Sequence, residues 1–487
     1  MNSNIRQLEP TQLWNKFADL NAVPRPSKKE EKVIAFMVNF GNSLGLETIE
    51  DEAGNVIIRK PATKGMKNRK TVVLQSHLDM VHQKNADTVF DFNSQGIEMI
   101  IDGDWVKAKG TTLGADNGIG VATIMAVLES KEIEHPAIEA LFTVDEETGM
   151  GGAFGLKENV LKGEILLNLD TEEDDEIDIG CAGGIDVNIS RRYNEEKVPE
   201  NVTAYKIIVK GLQGGHSGMD IHRGFGNANK VMNRLLFDGF ENFGLRISAI
   251  DGGGLRNAIP RESFATIVVD NIHHDAFAFE FNQLASTIKK ELKTTEPNLF
   301  ITAEVTKLPN RVMELGVQEG ITKALYTAQN GVYAMSADME GLVETSNNIA
   351  RVKIKEGKIE IKCLTRSSVE SAKMDLATSL RAAFELAGCE VEFTGSYPGW
   401  TPNVESPILK VLVSKYEELF HSQANVVACH AGLECGILGQ NYPKMDMISY
   451  GPTIKGAHSP DERVSISSVQ KFWKYTVEIL KSIPNAD

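Results

Sequence analysis

His77 and Asp79 stand in S-H-L-D-M, directly after an apolar run at 70–76 that reads as a buried strand. In an extended segment, residues two apart face the same side. His77 could therefore bind a metal while Asp79 supports its ring from behind. On that segment alone, a surface loop with one histidine and one aspartate fits as well. Asp116 lies in K-G-T-T-L-G-A-D-N-G-I-G, whose glycines permit tight backbone angles ahead of a helix. A carboxylate there could bridge two metals while helix N–H groups satisfy its remaining lone pairs. A phosphate-binding loop is the weaker reading. Neither G-x-G-x-x-G nor G-x-x-x-x-G-K-[ST] is present, and an acid stands where phosphate would need donors.

Glu146 and Glu147 follow another strand-like run, in T-V-D-E-E-T-G-M-G-G. Adjacent acids usually form a solvated edge, but a strand end ahead of three glycines is an awkward place for one. Asp170 closes L-L-N-L-D, a third strand ending in an acid. The acids that follow it, Glu172, Glu173, Asp174 and Asp175, read as a solvated charged turn, which leaves Asp170 as the candidate ligand. His458, in G-A-H-S-P, would alone pass for an ordinary loop histidine. Together, His77, Asp116, Glu147, Asp170 and His458 make a nitrogen and oxygen ligand set. It suits zinc, manganese or cobalt rather than a structural thiolate site. With one carboxylate shared, five such ligands suffice for two metals about 3.5–4 Å apart.

The elements that must carry these residues alternate. Runs at 70–76, 137–143 and 164–169 read as strands and 118–130 as a helix, which predicts an α/β layer with helices covering a sheet. In such sheets, sites gather beyond the strand ends. Between about 188 and 394 the pattern changes to α+β, and the strands and helices expected there look like one pattern written twice. A helix at 407–420 and a strand at 444–450 then return the chain to the first layer. The expected organisation is a catalytic α/β domain with a central mixed sheet flanked by helices, 1–187 and 395–487. It is interrupted by an inserted α+β domain, 188–394, of two similar halves at about 188–306 and 307–394.

Composition narrows the function classes. A net charge of −16 argues against a broad nucleic-acid surface. No run of about 18 apolar residues suggests a membrane span. The polar N-terminus lacks the apolar core of a secretion signal. The five cysteines are odd in number, scattered and never in a C-x-x-C pair, as expected of packed thiols in a reducing, cytoplasmic compartment.

The order H-L-D, G-A-D-N-G, D-E-E-x-G, x-L-D and G-A-H-S-P resembles the aminoacylase, carnosinase and carboxypeptidase clan of co-catalytic zinc hydrolases. Within it, L-N-L-D-T-E-E, G-C-A-G-G and G-L-x-G-G-H-S-G-x-D-I are similar to the bacterial aminoacyl-histidine dipeptidases, over essentially the whole length. The resemblance implies two zinc ions, for which cobalt or manganese could substitute. Asp116 would bridge them, His77 and Asp170 would complete one, and Glu147 and His458 the other. It further implies Asp79 as the partner of His77, Glu146 as the general base acting on a bridging water, and a cis peptide at Asp116–Asn117. The inserted domain resembles the clan's lid. There His216 would stabilise the oxyanion, Asn257 would hold substrate, and Arg366 would grip the substrate's C-terminal carboxylate. The implied activity is hydrolysis of unblocked dipeptides, Xaa-His and β-alanyl-histidine among them. Two alternatives are an N-acyl amino acid amidohydrolase using the same metals and a non-catalytic zinc-binding protein. In smaller members of the clan a neighbouring subunit completes the site. The doubled lid leaves open whether one chain suffices or a homodimer is needed.

Overall fold

The computed structural model describes residues 2–486. The chain divides into two compact units. One comprises Met1–Gly180, Pro402–Ala428 and Leu433–Asp487; the other comprises Cys181–Thr401 and Cys429–Gly432.

The first unit is built on an eight-stranded mixed sheet. Its order is Glu47–Glu50, Val56–Lys60, Ile138–Thr143, Val72–His77, Ile165–Asn168, Asp446–Ser449, Glu176–Cys181 and Asn425–Cys429. The four strands from Ile138–Thr143 to Asp446–Ser449 are mutually parallel, so their C-terminal ends lie along one edge of the sheet. Val72–His77, Ile138–Thr143 and Ile165–Asn168 are buried throughout, as parallel strands covered on both faces must be. The helix Ala115–Glu129 packs on Val72–His77 and against the helix Thr11–Leu20. Apart from Asp116 and Glu129 it is buried, which matches its apolar character on every side. No helix among the described residues is long and apolar enough to cross a membrane.

In the inserted unit we number β1 Gly183–Arg192, β2 Val202–Lys210, α1 Ala228–Phe243, β3 Arg246–Gly253, β4 Ser263–Asp270, α2 His274–Glu291 and β5 Phe300–Val305. There follow α3 Leu315–Thr327, β6 Val343–Lys355, β7 Lys358–Ser367, α4 Glu370–Leu386 and β8 Glu390–Tyr397. The sheet order β5-β2-β4-β3-β6-β7-β1-β8 resolves into two βαββαβ sets joined antiparallel at β3 and β6. One set is β2-α1-β3-β4-α2-β5, and the other is β1-α3-β6-β7-α4-β8. The two sets are nested, with the first inserted after the opening strand of the second, rather than following one another as halves 188–306 and 307–394. The same strand explains why the unit begins near 181 rather than 188. β1 pairs with β7 along its whole length, from Arg192 opposite Lys358 to Gly183 opposite Ser367. A continuous apolar core fills the space between this sheet and its helices. It includes Leu235 of α1, Phe277 of α2, Ile321 of α3 and Phe384 of α4, set on Ile207, Ile250, Ile361 and Val187.

Candidate metal centre

Parallel pairing brings the sequence-predicted acids and histidines to one place in the first unit. His77 is the last residue of its strand and lies in register with Thr143, the last residue of the neighbouring one. The acidic turn Asp145–Glu147 begins two residues beyond Thr143. Asp145 adopts a left-handed backbone (φ 60) that turns the chain into the short helix Glu146–Gly149. Asp170 follows the strand Ile165–Asn168. Asp116, at the head of its helix, has an extended backbone (φ −80, ψ 112), and the Asp116–Asn117 peptide is cis. His458 occupies a left-handed position in its loop.

Asp116 turns one oxygen to each histidine. Oδ1 lies 3.1 Å from His77 Nε2, and Oδ2 lies 3.1 Å from His458 Nε2. Asp170 Oδ1 is 3.5 Å from His77 Nε2, and Glu147 Oε2 is 2.9 Å from His458 Nε2. Two donor groups result, His77–Asp116–Asp170 and Asp116–Glu147–His458, which share Asp116; a third joins His77, Glu146 and Glu147. Within each group the donor atoms lie within 4.8 Å of one another. No cysteine enters any of the three groups. Asp79 is fully buried behind His77, with Oδ1 3.4 Å from His77 Nδ1. Its carboxylate also accepts from the backbone N–H groups of Glu146 (3.0 Å) and Glu147 (3.3 Å). His77 Nδ1 also lies 3.2 Å from the Asp79 backbone carbonyl, so Asp79 meets the imidazole with both main chain and carboxylate while the carboxylate sets the acidic turn.

The electrostatics are those of a crowded anionic site. Burial works against a charged His77, but Asp170, Asp116 and Asp79 together hold its pKa well above the usual imidazole value. Asp116 and Glu147 raise His458 to about 11. Burial pushes Glu146 well up, and Asp170, Glu434 and Glu147 push it further. Burial and neighbouring acids likewise raise Glu147 and Asp170. Glu147 Oε1 and Asp170 Oδ1 are buried without a hydrogen-bond partner. Buried carboxylate oxygens left in this state are costly unless a cation takes them up. The donor set fits such a cation.

Several contributors were invisible in the sequence. Glu462, four residues after His458 and only 2% exposed, accepts from four successive backbone N–H groups: Leu113 (2.7 Å), Gly114 (3.0 Å), Ala115 (2.7 Å) and Asp116 (3.3 Å). On the other side of that loop, buried Arg25 donates to the carbonyls of Gly114, Leu78 and Asp79. Asn117 Nδ2 donates to Leu169 O, tying the Asp116 loop to the Asp170 loop. Beneath the site, Glu434 accepts from Gln75 Nε2 and Thr143 Oγ1, both at 2.6 Å. The acidic run after Asp170 is not simply a solvated turn. Glu173 pairs with Lys455, Asp174 with Lys471, and Asp175 accepts from Asn425. Burial, and then Asp116, drives Glu172 up to about 8.

His216, Asn257 and Arg366 belong to the inserted unit and form a cluster of their own. Ser217 donates its backbone N–H to Asn257 O at 2.8 Å, His216 bridges to Ala258, and Arg366 Nε lies 3.5 Å from Ser217 Oγ. Asn257 is exposed, whereas Arg366 is buried. Burial, and then Arg366, lowers His216 to about 4, which keeps its imidazole neutral. Its Nδ1 accepts from the N–H groups of Gly218 and Met219, so the ring proton sits on Nε2. Sequence reasoning missed His430, whose Nε2 lies 2.8 Å from Ser346 Oγ, and Tyr397, whose hydroxyl accepts from Arg366 Nη1 at 2.8 Å.

A mixed sheet whose strand-end loops gather two histidines and several acids around a shared aspartate defines a metal-dependent hydrolase. The chain belongs to peptidase family M20/M25/M40, whose profile matches residues 73–482. It is a metallopeptidase, acting on peptide bonds. It is 45% identical over 482 residues to the cytosol non-specific dipeptidase of Escherichia coli strain K12, covering 99% of each chain. The crystal structure of aminoacylhistidine dipeptidase from Vibrio alginolyticus superposes with a TM-score of 0.94 at 45% identity, covering 100% of this chain and 99% of that one. A tripeptidase from Staphylococcus aureus has the same fold at 16% identity (TM-score 0.57; 98% of this chain and 99% of that one).

Proposed function

We propose that this chain is a cytoplasmic dipeptidase that hydrolyses unblocked dipeptides, Xaa-His and β-alanyl-histidine among them, with two zinc ions as cofactors. The carrying observation is Asp116, which turns one carboxylate oxygen to each of two histidines and so belongs to two donor groups at once. His77 and Asp170 would hold one ion with it, and Glu147 and His458 the other; cobalt or manganese suits the same donors. Bound there, the ions supply Lewis acidity and lower the pKa of water. Glu146 takes the proton from the attacking water and passes it to the leaving amine. Burial and neighbouring acids raise its pKa, which suits a group that must both accept and return a proton. Asp79 positions His77 and the backbone of Glu146. His216 Nε2–H is the donor for the developing oxyanion, Asn257 contacts substrate, and Arg366 binds the C-terminal carboxylate. The cytoplasmic setting and the dipeptide class rest on the full-length likeness to a cytosol non-specific dipeptidase.

The experiment is a panel assayed with metal-reconstituted protein, containing dipeptides, the same dipeptides N-acetylated, and N-acyl amino acids. Turnover of the free dipeptides with loss on acetylation is the expected result. Preferred turnover of the N-acyl substrates would establish an amidohydrolase instead.

A further inference from the structure

The motif G-C-A-G-G has no role in the chemistry above, yet its last residue lies at the centre of the Arg366 cluster. Gly184 on β1 is directly opposite Arg366 on β7 and opposite Tyr397 on β8. The three residues form one row across three strands, with the glycine in the middle. Cross-strand neighbours in such a row share a face of the sheet. Arg366 and Tyr397 therefore reach toward each other over a position with no side chain, and Arg366 Nη1 donates to the Tyr397 hydroxyl at 2.8 Å. A Cβ at Gly184 would lie 2.6 Å from both Cζ and the hydroxyl oxygen of Tyr397, too close for the ring to stay. A Cβ at Gly218 would stand 3.2 Å from Arg366 Nε and 2.0 Å from His430 O. Gly184 thus leaves room for the Tyr397 ring, and Gly218 leaves room beside Arg366 itself.

Arg366 is 4% exposed and forms no direct ion pair with a carboxylate among the described residues; Asp186, which feels its charge, is paired with Arg256. Among the described residues its side-chain hydrogen bonds go to the Tyr397 hydroxyl and, at long range, to Ser217. A buried arginine with no carboxylate bound directly to its fork calls for an anion, and the orientation of that planar fork decides whether a carboxylate can dock in two-point fashion. We propose that Tyr397 is a positioning residue for Arg366, and that Gly184 is glycine so that the tyrosine ring can cross β1 and hold the fork. The hydroxyl occupies one Nη1 hydrogen, which leaves the Nη2 hydrogens and the other on Nη1 for a substrate carboxylate. This rests on the reading of Arg366 as the carboxylate-binding residue.

The test compares each dipeptide with its C-terminal amide in steady state, on the native protein and on the Tyr397→Phe, Gly184→Ala and Arg366→Lys variants. Tyr397→Phe keeps the ring and removes the hydroxyl. It should raise KM for free dipeptides roughly threefold to tenfold, the scale of one hydrogen bond, with kcat within about twofold. KM for the amides should stay unchanged, so the preference for acid over amide falls. Gly184→Ala should do the same or more. If it fails to fold, Tyr397→Phe alone decides. A purely structural role would lower kcat for acids and amides alike, and that result overturns the proposal. If Arg366→Lys leaves the acid preference intact, the reading of Arg366 itself is wrong. If Arg366→Lys abolishes that preference while Tyr397→Phe and Gly184→Ala do not move it, the positioning role alone falls.

Discussion

Adjacent Glu146 and Glu147 are both raised by burial and neighbouring acids, Glu146 the more strongly, and they divide on what their oxygens face. Glu147 Oε2 faces His458 at 2.9 Å, and Oε1 is buried without a partner, so its charge has a clear place for a metal. Glu146 reaches His77 and Glu147 but makes no hydrogen bond to either histidine, and burial raises it strongly. Glu146→Gln should therefore retain the native metal content by elemental analysis and lose roughly 10²–10⁴-fold in kcat, the usual yield of a positioned general base. Turnover near the native level would remove Glu146 from that role. The candidate donors that the fold gathers were easy to single out in the sequence, because His77, Asp116, Glu147 and Asp170 each sit at a strand end or a glycine turn. The residues that hold them were not. Glu462 looks like any acid in a polar loop until folding brings it beneath four backbone N–H groups from residues 113–116.

At the scale of elements, the strands that carry the site were the easiest to read. Their near-continuous apolar runs end abruptly in polar residues, and the strands found, Val72–His77, Ile138–Thr143 and Ile165–Asn168, differ from the expected runs by only one or two residues at either end. β1 of the inserted unit was the hard case. Gly183 and Gly184 weaken strand propensity, and only pairing with β7 and β8 identifies the segment as the missing strand of the second repeat. Loops depend still more on distant partners. The turn before Asp116 has no regular structure, and its N–H groups are gathered by Glu462 from far along the chain. A neutral amide offers one acceptor oxygen where the carboxylate offers two, so Glu462→Gln should leave some of these donors unpaired. A loss of about 1–3 kcal/mol in unfolding free energy is expected from hydrogen bonds to a charged group, together with weaker metal binding in competition with a chelator. A variant that is destabilised but binds metal with native affinity would confine Glu462 to stability, with no part in presenting Asp116.

For the molecule as a whole, the buried acids set a dependence of stability on pH that metal binding should reverse. Burial is the largest cause in each case, and it brings Glu434, Glu462 and Asp178 to about 7, from 4.5, 4.5 and 3.8. His458 rises from 6.5 to about 11 through Asp116 and Glu147. All four shifts have the same sign. A group whose folded pKa lies above its unfolded value stabilises the fold fully below the unfolded value and loses that contribution as pH rises through the folded one. Between about pH 5 and 8 the folded metal-free chain therefore holds more protons than the unfolded chain, and its stability falls as pH rises. Each such carboxyl tilts stability by at most about 1.4 kcal/mol per pH unit. Asp116 and Asp79 are shifted downward and act only below this window, whereas His216, lowered to about 4, and His430, lowered to about 3, tilt stability the other way in its lower half and offset part of the fall. Bound cations change the balance, because they require deprotonated ligands and bind more tightly as pH rises. Thermal unfolding across pH 5 to 8 should show a falling Tm for chelator-treated protein and a flat or rising Tm for the metal-loaded protein. Parallel curves for the two forms would mean that the cluster around Asp116 is not where the cation binds.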